Sequence, residues 1–416
     1  DVPAIWEKLE SVGLSTTEAC GDCPRVVLGS PVAGIAADEI VDATPAIQEI
    51  ADRYIGDPEL SNLPRKFKTA ISGSPRWDTV PEINDVSFVG VEHPEHGPGF
   101  DLWVSGGLST NPKVAVRLGA WIPRQDVAEV WHGVVRLFRD YGYRRLRHRA
   151  RIKFLVADWG AEKFRQVLED EYLGRALVDG PAPPVPQGPR DHIGVHPQND
   201  GKYYVGVKSP AGRVSGSTLV EVAKAAERAG SRRVRTTVEQ NLLVLDLEES
   251  EVDGLVNDLR KVGLYADPSP WRRSVLACTG IEFCKLAIVE TKQRAIDLIE
   301  DLERRLADIQ SDVDNPVTVN LNGCPNACAR TQVADIGLKG QMVPDGEGNQ
   351  VPGFQVHLGG GLGQDAGFGR KIRGHKVTSA ELGDYVERLV RRYLQQRAAG
   401  ERFAQWVSRA AEDDLK

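Results

Sequence analysis

The chain has 416 residues, 41% of them hydrophobic and 27% charged, enough apolar matter for two or three packed domains and too much for a disordered polymer. A net charge of −7 argues against a dedicated nucleic-acid binder, and no apolar run approaches the roughly 20 residues a membrane span requires. Six cysteines are too few for a disulfide scaffold and no basic-then-apolar leader opens the chain, so a cytoplasmic protein off the membrane is expected. The chain begins at Asp1 inside a helical pattern and holds one methionine, Met342, so the start of translation is expected upstream.

In chain order, residues 1–14 carry apolar residues at helical spacing, with Gly13 suited to a C-terminal cap. Cys20 and Cys23 form C-x2-C with no second pair nearby and read as free thiols, a redox role staying open. The run 144–153 holds six basic residues in ten and no acid, a face for an acidic partner or a set of inward-pointing charges. Nucleic acid suits it poorly, because no aromatic platform is interleaved. Residues 180–189 contain five prolines, which neither a helix nor a central strand passes, and mark a linker.

Beyond it, Tyr203–Lys208 alternates like a strand, Leu219–Ala229 has helical spacing ended by Gly230, and Val234–Leu247 reads as strand before a helix at 251–262. Ile288, Ile296, Ile299, Leu302, Leu306 and Ile309 recur at helical spacing, so a long helix is expected to start just after Cys284. Two stretches repeat: 1–14 matches 251–264, and Gly99–Leu108 matches Gly353–Leu362. A spacing of about 250 residues is too long for a solenoid, so two copies of an α+β unit are expected, related by a pseudo-twofold axis with a site between them.

Cys278-Thr-Gly-Ile-Glu-Phe-Cys284 and Cys324-Pro-Asn-Ala-Cys328 offer four soft thiolates from two loops, a set that selects zinc, Cu(I) or an iron–sulfur cluster. Zinc sites are usually closed by shorter arcs than C-x5-C, so the spacing leans towards a cluster. The helix expected after Cys284 would turn its positive end to it. Structural zinc and an unligated or disulfide-bonded set remain as alternatives at this point.

The pair C-T-G-x-x-F-C and N-G-C-P-N-A-C resembles the signature of the sulfite and nitrite reductases that carry siroheme coupled to a [4Fe-4S] cluster. The resemblance extends over nearly the whole chain, through Leu63-Pro-Arg-Lys-Phe-Lys68, Gly21-Asp-x-x-Arg25 and Arg235-Thr-Thr-x-x-Gln240-Asn241. It implies an α+β fold of duplicated halves, with ferredoxin-like units and two lobes that bind siroheme and cluster. The implied segments are 1–14 (end of a first ferredoxin-like repeat), 15–179 (first lobe), 180–190 (linker), 191–266 (second repeat) and 267–416 (second lobe, with the cysteines).

The resemblance assigns Cys278, Cys284, Cys324 and Cys328 to the cluster, with Cys328 also the proximal ligand of the siroheme iron. It assigns Arg25, Lys66 and Lys68 to the oxyanion, since reduction there needs fixed positive charge that can donate protons. Alternation puts Lys66 and Lys68 on one strand face with Phe67 on the other, although a K-x-K strand alone is more often a solvated edge. Arg65, Arg235, Gln240, Asn241 and Arg330 are expected to contact siroheme, whose carboxylates want arginine. A further pocket arginine of the family would precede Asp1. Gly106-Gly107 and Gly359–Gly361 could let backbone approach the macrocycle, or simply turn.

The implied reaction is assimilatory six-electron reduction of sulfite to sulfide, with electrons from reduced ferredoxin, an acidic donor, because no nicotinamide or flavin fingerprint is present. Nitrite reductase on the same frame is the alternative, and a non-catalytic metal-stabilised module a distant one. A monomer is expected.

Overall fold

The structure, a computed structural model, describes residues 1–313 and 316–416. The chain divides into two compact units, Asp1–Gly107 with Lys113–Gly188, and Leu108–Pro112 with Pro189–Lys416.

The first unit runs α1 (Val2–Glu10), β1 (Pro24–Gly29), α2 (Thr44–Tyr54), β2 (Phe67–Ser72), β3 (Val86–His93), β4 (Gly97–Val104), β5 (Val116–Ile122), α3 (Val127–Tyr141), α4 (Ile152–Val167) and β6 (Val178–Asp179). Its six strands lie in sequence order in one sheet. β1, β2 and β3 pair parallel, and β4 and β5 are added antiparallel. Helix α3 buries Val127, Val130, Trp131, Val134, Val135 and Phe138, one stripe at helical spacing, on a core with Phe67, Phe88 and Phe100.

The second unit opens with β7 (Gly194–Pro197), β8 (Tyr203–Val207), α5 (Gly216–Arg228), β9 (Val234–Thr236), β10 (Leu242–Leu247) and α6 (Glu249–Lys261). The four strands form an antiparallel sheet ordered β7-β8-β10-β9, with α5 and α6 in its core through Val222, Leu255 and Leu259. It continues with α7 (Pro270–Ser274), β11 (Val275–Ala277), α8 (Lys292–Arg305), β12 (Val319–Asn322), β13 (Ile336–Pro344), β14 (Gln350–Leu358), β15 (Arg370–Thr378), α9 (Leu382–Gln396) and α10 (Phe403–Arg409).

The five strands β11–β15 also lie in sequence order, with parallel, parallel, antiparallel, antiparallel pairing, the succession seen in β1–β5. Helix α9 follows the fifth strand as α3 does and buries Leu382, Tyr385, Val386, Leu389, Val390 and Tyr393, the same spacing as in α3. The fold is α+β, and the duplication expected from short matches is present as a shared sheet topology.

Two sequence expectations are corrected. Residues 234–247 form two strands, because the Thr237 hydroxyl accepts the N–H groups of Glu239 and Asn241 and Gln240 takes a left-handed φ of 62°, which makes a tight turn. The helix expected just after Cys284 begins only at Lys292. The intervening residues are held in turns and bends: Ala287 N–H donates to Cys284 O at 3.1 Å, and Ile288 N–H is drawn across to Gly323 O at 2.7 Å. The Glu290 carboxylate caps the N–H groups of Gln293 and Arg294 at 2.8 Å each, so those amides are engaged by the chain itself.

Candidate functional site

The second unit's site is built where two neighbouring parallel strands end. β11 and β12 leave the sheet at the same edge, so Cys278 directly follows one and Gly323-Cys324 the other. Glycine is required where the loops meet: a Cβ on Gly323 would lie 2.9 Å from Ala287 Cβ and 3.0 Å from Val289 O, and one on Gly280 only 2.5 Å from Thr291 Oγ1. Gly323 N–H donates to Cys278 Sγ at 3.1 Å, which ties the two loops together. Asn322, fully buried, braces the second loop at both ends: its Nδ2 donates to Cys324 O at 2.6 Å and its Oδ1 accepts Ala329 N–H at 2.8 Å.

Cys324 is buried, Cys278 and Cys284 are half-buried and Cys328 is exposed. Among the described residues no three His, Cys, Asp or Glu side chains converge on a single-ion point. The donor set is sulfur alone and the cysteine loop exposes Ile281, Phe283 and Leu286, an apolar wall beside soft ligands. That chemistry fits an iron–sulfur cluster with a flat macrocycle against it.

The first unit assembles the cationic residues at the opposite kind of edge, where adjacent parallel strands begin. Arg25 is second in β1, Lys66 precedes β2 and Lys68 is second in it, with Pro24 paired to Phe67. Phe67 is buried against Trp131 and Phe138, while Lys66 is half-buried and Lys68 exposed. The Arg25 fork donates to Ala19 O and Gly21 O at 2.7 Å each, and its buried Nε has no partner among the described residues. Cys20 is exposed; Cys23 is buried, which pushes its thiol up and makes it a poor nucleophile.

Behind Lys68 stands a device that sequence reasoning missed. Asp85, fully buried, accepts Lys68 N–H at 2.9 Å and returns its own N–H to Lys68 O at 3.0 Å. Arg151 grips the same carboxylate with Nε at 3.0 Å and Nη2 at 2.7 Å. The second unit repeats the motif without the arginine: Asp335 accepts Thr318 N–H at 2.9 Å and the Thr318 hydroxyl at 2.7 Å, and burial pushes its carboxyl up to about 6. No local pattern marks Asp85; its partners lie 17 and 66 residues away.

Of the expected macrocycle contacts, Arg65 and Arg235 are half-buried. Asn241 is buried with both amide atoms unpartnered among the described residues, the kind of orphan a bound polar group would satisfy. Gln240 and Arg330 are engaged internally. Gln240 Nε2 donates to Ala277 O at 2.9 Å and its Oε1 accepts from Lys292, while Arg330 forms a two-pronged pair with Glu239 at 2.8 and 2.9 Å. The basic run is also largely engaged: Arg144 donates to Asn62, Arg147 pairs with Asp22, Arg149 with Asp158 and Arg151 with Asp85. Lys153 is buried, donates to Gly107 O at 3.1 Å and is pulled down to about 8 by burial.

Among the described residues no helix is long and apolar enough to cross a membrane. Residues 20–177 and 270–416 match the model of the nitrite and sulphite reductase 4Fe-4S domain, and residues 196–262 that of the nitrite/sulfite reductase ferredoxin-like half domain. The chain is 61% identical over its full length to the sulfite reductase [ferredoxin] of Mycobacterium tuberculosis, covering 75% of that protein. It is 37% identical to the ferredoxin–nitrite reductase of Synechococcus elongatus, over 94% of this chain and 76% of that one. The solved structure of Mycobacterium tuberculosis NirA protein superposes with a TM-score of 0.98, over all of this chain and 76% of that one. With the paired cysteine loops and the duplicated sheets on the same frame, the chain belongs to the nitrite and sulfite reductase family.

Proposed function

We propose that this protein is an assimilatory sulfite reductase that takes electrons from ferredoxin and reduces sulfite to sulfide, using siroheme coupled to a [4Fe-4S] cluster. The carrying observation is the pair of cysteine loops that follow β11 and β12, together with an identity of 61% to ferredoxin-dependent sulfite reductases against 37% to a nitrite reductase. Cys278, Cys284, Cys324 and Cys328 would hold the cluster, Cys328 shared with the siroheme iron, and Arg65, Arg235 and Asn241 would meet the macrocycle's polar rim. When bound, this pair of groups supplies electrons one at a time.

The chain's own residues do the rest. Arg25, Lys66 and Lys68 bind the oxyanion and give protons as oxygens leave as water, arginine as a fixed charge and the lysines as transferable acids. Asp85 and Arg151 hold the Lys68 backbone in register. In this reading the segments are the two lobes 15–179 and 267–416, the repeat 191–266, the end of its partner at 1–14 and the linker 180–190, and the protein acts as a cytoplasmic monomer. Nitrite reduction is the second reading, favoured by relatives of that name.

Cys328→Ser tests the site: the full-length variant is expected to lose both the Soret band and the cluster's iron and sulfide, because an alkoxide replaces a bridging thiolate poorly. Full occupancy of both groups would remove the shared-ligand assignment. The ratio of sulfite to nitrite turnover with reduced ferredoxin decides between substrates.

A further inference from the structure

β15 is the edge strand of the second unit's larger sheet, and four exposed cations, Arg370, Lys371, Arg373 and Lys376, lie along it. Residues 366–378 contain no acid. Among the described residues none of these four side chains makes a hydrogen bond or an ion pair. Many arginines elsewhere in this acidic chain are matched, among them Arg260 with Asp267, Arg305 with Asp384, Arg391 with Asp308 and Arg409 with Glu401, whereas β15 brings four unmatched cations together on one strand.

The strand register extends the patch inward. Lys376 is opposite Gln355, Gln355 opposite Lys339 and Lys339 opposite Asn322, so one cross-strand row runs from the basic edge to the residue that braces the cysteine loop. Three inter-strand spacings make that row about 14 Å long. His357 is opposite Lys371 and two residues from Gln355, on the same face. The field of this face is unbalanced: burial and then Lys371 push Lys339 down, and burial, Lys339 and Lys371 push His357 down to about 4.

A lysine on an edge strand often serves only to block edge-to-edge pairing. One such charge would suffice for that, and blocking does not call for a half-buried lysine and histidine in the same field. The basic run at 144–153, the sequence's own candidate for a partner face, has most of its arginines bound to acids and carbonyls of its own unit.

We propose that the β15 face, with Lys339 and His357, is the docking surface for the acidic electron donor, a small iron–sulfur protein of the ferredoxin type. The inference rests on the ferredoxin-dependent reading above and names the surface that serves it. Unpaired exposed cations steer an acidic partner and raise its association rate, and the row from Lys376 to Asn322 places the patch on the strands that carry the cysteine loops.

The test is the affinity of the full-length holoenzyme for an acidic ferredoxin at low ionic strength, by calorimetric titration, for the unaltered protein and for Lys371→Glu/Arg373→Glu/Lys376→Glu. Reversal of three charges is expected to weaken binding at least about tenfold and to flatten its salt dependence. The Soret band, the thermal midpoint and sulfite turnover with reduced methyl viologen should stay within about twofold, and Arg145→Glu, in the other basic run, should bind ferredoxin as the unaltered protein does. An unchanged affinity in the triple variant would overturn the proposal, as would loss of the Soret band, which makes the patch structural, or tighter binding of single-stranded RNA than of ferredoxin. Failure of the holoenzyme to reduce sulfite with methyl viologen would instead strike the sulfite-reductase reading.

Discussion

Arg147 grips Asp22 with two prongs, Nη1 to Oδ2 at 2.5 Å and Nη2 to Oδ1 at 2.9 Å, and its Nη1 also reaches Pro64 O at 3.3 Å. Asp22 lies three residues before Arg25, and Pro64 two before Lys66. One side chain thus ties together the two segments that carry the oxyanion-binding cations, although the sequence presents it as part of a basic surface run. Arg144, holding Asn62 through its side chain and its carbonyl, reinforces the second segment.

Arg147→Gln is therefore expected to act on the chemistry and not on donor binding. Sulfite turnover with reduced methyl viologen should fall severalfold while ferredoxin affinity is retained, both read on the holoenzyme with equal siroheme content. Weaker ferredoxin binding at full methyl viologen turnover would return Arg147 to the partner surface.

Asn322→Ala removes both braces of the loop that carries Cys324 and Cys328 and leaves Ala329 N–H and Cys324 O buried without their partner. Each orphaned group costs about 1–3 kcal/mol, so the loop should splay and the purified protein should carry less iron and acid-labile sulfide per chain. Asn322→Asp keeps the acceptor for Ala329 and should lose less. Full cluster content in the alanine variant, by iron and sulfide analysis, would show that the cluster itself holds the loop.

Lys68→Asn probes substrate choice. Sulfite can carry a second negative charge, so an ammonium gains more from it than from nitrite, and asparagine has no acidic proton to transfer. The variant should lose at least about tenfold in kcat/KM for sulfite, about 1.4 kcal/mol of transition-state stabilisation, with a smaller loss or a gain for nitrite. Arg151→Met, which leaves Asp85 buried without its counter-charge, should lower sulfite kcat in the same direction by loosening the Lys68 backbone. Equal losses on both substrates would make Lys68 a general acid without a part in selection.

Lys208 is 1% exposed, and burial pulls it down to about 8. Its folded value is below its unfolded one, so the fold carries the full penalty of the ammonium below pH 8 and sheds it as pH rises from about 8 towards 10.4. Lys208→Met should stabilise the protein by up to about 3 kcal/mol at pH 7, the gain shrinking to about 1 kcal/mol by about pH 10. Thermal unfolding across pH 6–10 measures it; a variant less stable at pH 7 would mean the ammonium is compensated.

What could be read along the chain was whatever a short stretch encodes alone. The cysteine pairs, the side of β2 that takes Phe67, the cap glycines at 13 and 263, with φ of 75° and 80°, and the repeat of 99–108 at 353–362 all depend on residue type and period within a few positions. Such signals survive because strand alternation and helix spacing are local geometry. Tertiary structure decided the rest, since each outcome depends on a partner far away in sequence. Ile288 was drawn out of the expected helix by Gly323, Arg330 was taken by Glu239 across 91 residues, and the arginines of the basic run were divided among Asn62, Asp22, Asp158 and Asp85. A charge's partner is chosen by proximity in space, and burial then sets how strongly the pair is felt; neither quantity is written in the spacing of residues.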